Sequence, residues 1–378
     1  MDITIDVTAA AHGRGGIGRY AHELTAALSA QVWPHHSLTA FYNDPNGAIL
    51  EPPLDTLPRQ VVAQSDKPWR LNVLAHYGLN LAQDRQFPGT QLFHATGNVL
   101  PHFRHIRRVF TLHDLAFRVY PQAHTRPNLW YLTRMMPHFL RSADRILADS
   151  DATRRDAIRW YGVPEAKIVT VYPGVADRFR PQPAEVGDAL RQKYDLPHDF
   201  LLYVGTIEPR KNLGVLLKAY HALKAHGLPH RLVVAGQKGW LFETFFQELE
   251  ALGLADDVIL PDFFPDADLP ALYSAATAFA YPSLYEGFGL PPAEAMACGT
   301  PVIASNVSSL PEVVGDAGLL VAPDDVAGLA AAIERVLTDA ALRARMREAG
   351  MARVARFTWA KAATEAMAVY DAAMGEVR

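Results

Sequence analysis

The chain has 378 residues, 49% of them apolar and 20% charged, with one cysteine and 36 Lys and Arg against 40 Asp and Glu. This excludes an internal disulfide framework, and no apolar run approaches the roughly 18 residues that a membrane span needs. The length gives room for two domains of ordinary size. The net charge of −4 is uneven: residues 1–180 hold 20 Lys and Arg against 15 Asp and Glu, and the remainder holds 16 against 25. A basic first half and an acidic second half point to different partners for each. The overall acidity and the lack of a reader module argue against nucleic acid. The lone Cys298 fits a reducing, cytoplasmic compartment, and MDITIDVTAA, which carries Asp2 and Asp6, reads as a first strand and not as a signal peptide.

In chain order, ITIDV is a short alternating strand, followed by TAAAHGRGGIGRYAHELTAAL. Gly13, Gly15 and Gly18 match G-x-G-x-x-G, which permits a dinucleotide site with Asp44 as the ribose acid. The spacing fits poorly, because residues 8–12 separate the strand from the first glycine. The other reading is a glycine loop, with Gly15 and Gly16 at its centre, that opens a helix and closes over a phosphate. Residues 44–70 read as loop with one strand. QLFHATGN and RRVFTLHDLAF are two strand-to-loop units that put His94 and His113 at strand ends, where α/β sheets present ligands. Asp114 could orient the His113 ring or turn away to cap the next segment.

Residues 104–145 are the most basic part of the chain. Trp130, Tyr131, Met135, Met136 and Phe139 are interleaved with its arginines, and Pro137 marks a kink or a boundary. That composition suits contact with anionic lipid or with a phosphate-bearing acceptor, or else an aromatic core face beneath a solvated arginine face. RILADSDATRRDAIRWYGVP follows as strand, Ser/Asp cap and helix, then the strand KIVTVYPGV and a proline-containing linker.

A second α/β series begins at DFLLYVGTIEPRKNLGVLLKAYHAL. Arg210 and Lys211 precede a helix that starts near Asn212, where two cations beside free helix N–H groups form a plausible diphosphate clamp. HRLVVAGQKGW supplies another strand and a glycine loop at Gly236. The centre of the half is SLYEGFGLPPAEAMACG, residues 283–299. A buried strand ends at Pro282, a Gly-Phe-Gly turn follows, and prolines suit a first helical turn. Glu286 is placed on the loop and Glu294 in the first turn of the helix. Both could accept hydrogen bonds from sugar or ribose hydroxyls.

Glu286-Gly287-Phe288-Gly289-Leu290 followed by Glu294 resembles the signature of the family-4 glycosyltransferases, retaining enzymes of the GT-B fold. The resemblance covers nearly the whole chain. It implies an α/β architecture with two Rossmann-like doubly wound parallel-sheet domains facing across a cleft. The expected divisions are residues 1–178 on the acceptor side, 179–358 on the donor side, and a helix, 359–378, crossing back. It implies that Glu286 contacts the donor sugar and Glu294 the ribose. Gly287, Phe288, Gly289 and Leu290 then hold sugar and diphosphate through their backbone, with Gly15 and Gly16 reaching the diphosphate. His113 lies beside the transferred sugar, and Asp262 to Phe264, with Phe263 foremost, lie at the base. Many members carry Arg directly after the strand glycine and Lys five positions later. Lys211 matches the Lys, but Thr206 takes the Arg position, leaving Arg210 to supply the second charge.

The variant Gly-Thr-Ile-Glu-Pro-Arg-Lys-Asn resembles bacterial enzymes that build O-antigen and exopolysaccharide chains. The expected function is transfer of a hexosyl group, mannosyl favoured, from a nucleotide diphosphate sugar, GDP- over UDP-linked. The acceptor is a saccharide or lipid-linked saccharide. Transfer is expected to proceed without a metal or other cofactor. A nucleotide-sugar epimerase of the same architecture and a nicotinamide dehydrogenase are the alternatives. Replacing Glu286 by Ala is expected to abolish transfer with the fold intact.

Overall fold

The computed structural model describes residues 1–31, 36–261 and 264–375. Among these, thirteen strands carry the architecture. They are β1 (Asp2–Asp6), β2 (Ser37–Asn43), β3 (Arg59–Val62), β4 (Leu92–Ala95), β5 (Arg107–Leu112), β6 (Arg145–Ala148) and β7 (Ile168–Thr170), then β8 (Phe200–Val204), β9 (Arg231–Ala235), β10 (Val258–Ile259), β11 (Ala278–Tyr281), β12 (Val302–Ser305) and β13 (Leu319–Val321). They form two sheets, ordered β3-β2-β1-β4-β5-β6-β7 and β10-β9-β8-β11-β12-β13. The strand pairings are parallel in both, with Ile3 of β1 level with Leu38 on one side and Leu92 on the other. Parallel strands covered on both faces need apolar residues at successive positions. β4, β6 residues 146–148, β11 and β12 are buried accordingly.

The chain divides into two compact units. The first takes Met1–Arg118, Arg126–Gly174 and the chain from Phe357 on; the second takes Val119–Thr125 and Val175–Arg356. In the first unit an aromatic cluster fills one side of the sheet. Phe41 lies 5.1 Å from Phe87, and Phe87 meets Phe103 edge-on at 5.0 Å. Edge-on contacts suit the ring quadrupoles.

The helix Trp359–Gly375 completes the first unit by packing on the helix Gly15–Ala30 and on β5 and β6. Trp359 meets Tyr20 at 5.7 Å, and Tyr370 is fully buried with its hydroxyl 2.7 Å from His94 Nδ1. The ring of Trp359 would lie 2.7 Å from a Cβ placed on Gly174, so glycine is what lets the helix sit there.

Some expectations change. The helix Arg126–Ser142 runs through Pro137 without ending. Pro137 has no N–H to offer the carbonyl of Thr133, an exposed residue whose carbonyl water can serve. Tyr131, Met135, Met136 and Phe139 are core, whereas Trp130 is 57% exposed. Residues 8–12, which separate β1 from the first glycine, include the short helix Thr8–Ala11. Among the described residues no helix is long and apolar enough to cross a membrane.

Candidate active site

The second unit gathers its polar residues at the C-terminal ends of its central strands. A Cβ on Gly236 would stand 1.9 Å from the Gly205 carbonyl oxygen, so only glycine lets the chain after β9 run this close to the chain after β8. Beyond Gly205 the pairing resumes, with Ile207 N–H donating to the Gln237 carbonyl at 3.0 Å. Thr206 between them is exposed and its carbonyl accepts the Tyr203 hydroxyl at 3.3 Å. Residues Pro209–Lys211 form one tight turn, and Asn212 closes it in the left-handed region at φ +57°. The Asn212 amide donates to the carbonyls of Pro282, at 3.0 Å, and Pro323, at 2.7 Å. This fastens the turn to the loops that follow β11 and β13.

Fastened there, four charges meet. Arg210 Nη1 lies 2.9 Å from Glu286 Oε2, and Lys211 Nζ lies 2.6 Å from Glu286 Oε1. Arg210 Nη2 donates to Glu208 Oε1 at 2.7 Å, and Lys211 also donates to the Tyr281 hydroxyl at 2.7 Å. Glu208, Lys211 and Glu286 are all buried. Burial alone would raise the Glu286 pKa, but the two cations override it and hold the group at about 2. Burial, with Arg210 beside it, lowers Lys211 from its ordinary value despite Glu286. Burial raises Glu208 against the pull of Arg210 and Lys211. The set is two acids and two bases. Glu286 thus gives one carboxylate oxygen to each cation.

The turn that carries Glu286 is fixed from behind. Its N–H donates to Ser308 Oγ at 2.9 Å, and Ser309 Oγ lies 3.0 Å from the Glu286 carbonyl and 2.7 Å from that of Phe288. Gly287 follows in the loop, Phe288 is buried, and Gly289 takes φ +103°, a left-handed conformation that favours glycine. Leu290 begins the helix Leu290–Ala297. Glu294 therefore lies in the second turn, not the first. It is buried, and the Tyr273 hydroxyl donates to it at 3.1 Å. Phe263 and Asp262 lie outside the described residues, and Phe264 is a core residue with its ring 4.1 Å from that of Tyr194.

One piece of the first half joins this unit. In residues 119–125, Tyr120 faces Tyr285 with ring centroids 6.3 Å apart, and the Ala123 carbonyl accepts Trp240 Nε1–H at 2.5 Å. Tyr285 in turn offers its carbonyl to Arg210 at 2.7 Å. The sequence carried no mark of this excursion, and none of Glu208 as a partner of Arg210.

In the first unit His113 follows β5. Its Nδ1 lies 2.7 Å from Asp149 Oδ2 and its Nε2 lies 2.6 Å from the Thr96 carbonyl. A carbonyl only accepts, so Nε2 carries a proton. A second proton lies between Nδ1 and Asp149. Burial lowers the His113 pKa, but Asp149 and the Thr96 carbonyl more than offset it and the net shift is upward. Burial also raises Asp149. The partner is Asp149 and not Asp114, which caps its own turn by accepting Ala116 N–H at 2.9 Å. His94 lies inside β4, fully buried between Tyr370 and Thr111, and burial holds its pKa at about 3; it is a core residue.

Gly15 and Gly16 are not a loop but the exposed first turn of a helix, and a Cβ on either would meet open space. Gly18 is structural, since a Cβ there would lie 2.7 Å from the Ala9 carbonyl. Asp44 spends a carboxylate oxygen on Asn46 N–H at 2.8 Å. The helix Gly15–Ala30 reaches His113 through Tyr20, whose ring meets it edge-on at 4.9 Å.

Two family models match the chain: one described as "Glycosyltransferase Family 4" over residues 14–179, and one as "Glycosyl transferases group 1" over residues 188–353. The chain is 39% identical over 282 residues, 74% of each chain, to the O-antigen chain mannosyltransferase B of Escherichia coli. It is 36% identical over 227 residues to the serotype-specific mannosyltransferase WbdA of Escherichia coli, spanning 58% of its own length and 28% of that protein's. Among solved structures it resembles sucrose-phosphate synthase from Thermosynechococcus elongatus, with TM-score 0.76, 24% identity and 98% of each chain covered. It also resembles HepE from Anabaena in complex with UDP and glucose, with TM-score 0.74, 19% identity and 98% and 99% of the chains covered. At those identities the structural likeness speaks to the fold alone.

Proposed function

We propose, for a chain that belongs to the family-4 glycosyltransferases, that it moves a mannosyl group from GDP-mannose to a hydroxyl of a lipid-linked saccharide, with retention, in surface polysaccharide synthesis. The observation that carries the mannosyl reading is the likeness to the O-antigen chain mannosyltransferase, which runs through most of both chains. The buried charge cluster supports the chemistry. Glu286, charged and fixed by Arg210 and Lys211, accepts donor-sugar hydroxyls. Arg210 and Lys211 meet the leaving diphosphate, so the reaction needs no metal to neutralise it. Glu294 takes the ribose. The backbone from Gly287 to Leu290 and the rim at Thr206 and Gly236 take the phosphates and sugar. The bond from the sugar to the diphosphate oxygen breaks, the bond to the acceptor oxygen forms on the same face, and the acceptor proton passes to the leaving phosphate.

A thermal-shift panel tests the donor. A ligand at about 100 times its Kd adds roughly 2.7 kcal/mol, which is readily seen as a raised midpoint. GDP and GDP-mannose are expected to raise it, with or without a chelator, while UDP, ADP and NAD leave it in place. Lys211→Ala is expected to weaken GDP and GDP-mannose alike. A shift with UDP alone would move the donor to another base, and a chelator-sensitive shift would bring in a metal.

We further propose that the enzyme works at the inner face of the membrane. The helix Arg126–Ser142 buries its aromatic face and leaves Arg126, Trp130, Arg134 and Arg141 exposed along the other. Arginine beside an exposed tryptophan suits an anionic bilayer surface. The chain is expected to sediment with phosphatidylglycerol vesicles and not with phosphatidylcholine vesicles. Trp130→Ala with Arg134→Glu is expected to lower the bound fraction several-fold; equal binding by that variant removes the membrane role.

A further inference from the structure

The first sheet reverses its strand order between β1 and β4, since β1 leads outward to β2 and β4 leads the other way to β5. Chains leaving neighbouring strands in opposite directions open a crevice at their C-terminal ends, the place where α/β sheets take ligands. Asp6 ends β1 at that crevice, and Thr96 and Gly97 follow β4 across from it. The Thr96 hydroxyl donates to the Asp6 carbonyl, which holds the two strand ends together. A Cβ on Gly97 would lie 3.6 Å from Asp6 Oδ2, so this oxygen stands over the Gly97 backbone. Thr96 also gives its carbonyl to His113, so Asp6 and the His113–Asp149 pair flank the same short segment.

Asp6 is 5% exposed and makes no ion pair among the described residues. One oxygen, Oδ1, accepts Thr8 N–H at 2.9 Å at the start of the helix Thr8–Ala11. That bond explains an acceptor at this position but not a carboxylate. A serine or asparagine would cap the same turn without the cost of burying charge. Burial pushes the Asp6 pKa up to about 6, against the Thr8 hydrogen bonds that favour the charged form. The Arg14 charge also favours the ionised form and the Asp66 charge opposes it, yet burial prevails; a buried carboxyl kept at a ligand crevice is better accounted for by a hydroxyl donor that arrives with the ligand.

We propose that Asp6 binds the acceptor: a hydroxyl of the saccharide that receives the sugar donates to Asp6 Oδ2 in the crevice between β1 and β4. This rests on the chain being a glycosyltransferase, and it concerns binding of the acceptor and not transfer of its proton. Asp6→Asn preserves the oxygen that accepts Thr8 N–H while removing the charge, so the helix start and the thermal midpoint are kept.

The test uses the full chain with GDP-mannose as donor and octyl α-D-mannoside as acceptor. Asp6→Asn is expected to raise the KM for octyl mannoside at least tenfold and to leave the KM for GDP-mannose within twofold of wild type. Asp6→Ala should show the same split. An unchanged acceptor KM in both variants overturns the proposal, as does an equal rise in both KM values, which would mean a general structural role. Failure of the wild-type chain to turn over GDP-mannose would instead overturn the mannosyl reading. The same split would then be measured with the nucleotide sugar that the wild type does use, and the same two outcomes decide it.

Discussion

Glu286→Ala is expected to lose both turnover and stability. The sequence alone led to an intact fold, but the two buried cations change that expectation. With the carboxylate gone, Lys211 keeps the Tyr281 hydroxyl among the described residues, and Arg210 keeps Glu208 and the Tyr285 carbonyl. Removing one side of a buried ion pair costs about 3–5 kcal/mol, because the stranded charge has no water to turn to. Glu286→Gln keeps the shape and one accepting oxygen, so it should melt closer to wild type while turnover still falls about 10²–10³-fold, as for loss of a preorganised charge in an active site. Urea melts and initial rates on the two variants check this. Near-normal rates in Glu286→Ala would remove the residue from the site. The pH dependence has a definite sign. A carboxylate held at about 2 contributes stability that is present above its ordinary value near 4.5 and is lost as pH falls toward 2. At about 1.4 kcal/mol per unit, wild type should lose about 3 kcal/mol across that window that Glu286→Gln does not.

His113→Ala is expected to destabilise the first unit by a similar amount, about 3–5 kcal/mol. Asp149 is buried, its Oδ1 has no hydrogen-bond partner among the described residues, and Oδ2 would lose the one it has. The double replacement of His113 and Asp149 by Ala should be less costly than His113→Ala with Asp149 left in place, once the cavity is allowed for. An Asp149 that tolerates the single change without loss would contradict a charged pair. Raised above its unfolded value, His113 contributes stability that is complete below about pH 6.5 and is lost as pH rises through its folded value. With both ring nitrogens engaged by acceptors, His113 has no lone pair for a substrate proton. The rate of transfer should therefore show no titration attributable to a His113 base, a point a pH–rate profile on wild type and Asp149→Asn would decide.

What the sequence made legible follows the range of each interaction. The turn from Ser283 to Leu290 was readable because its causes are local: a buried strand, glycines that permit φ +103°, prolines suited to a helix start. The two-sheet architecture was readable from the strand–helix alternation. The pairing of Lys211 with Glu286 was not, because those residues are 75 positions apart and meet only when β8 and β11 lie side by side. Asp149 displaced the adjacent Asp114 as the partner of His113 for the same reason, since β6 lies beside β5. His94 looked like a ligand at a strand end and proved to be core, because its partner Tyr370 comes from 276 positions away. Glu294 was placed one position too early, since the helix begins at Leu290, one residue before the prolines that suggested its start, and this carries it from the first turn into the second.

The return of the helix Trp359–Gly375 to the first unit bears on how the protein is made. A ribosome delivers residues 1–174 long before Tyr370 is available to His94 or Trp359 to Tyr20. At about 5–20 residues per second, the intervening second unit takes on the order of 10–40 s to synthesise. Throughout that interval the nascent first sheet lacks the cover that the final helix provides over β5 and β6. The second unit waits for nothing comparable, because the borrowed residues 119–125 have already been made. The half that is translated first is thus the half that finishes folding last, and a chaperone that binds apolar surface would find it there.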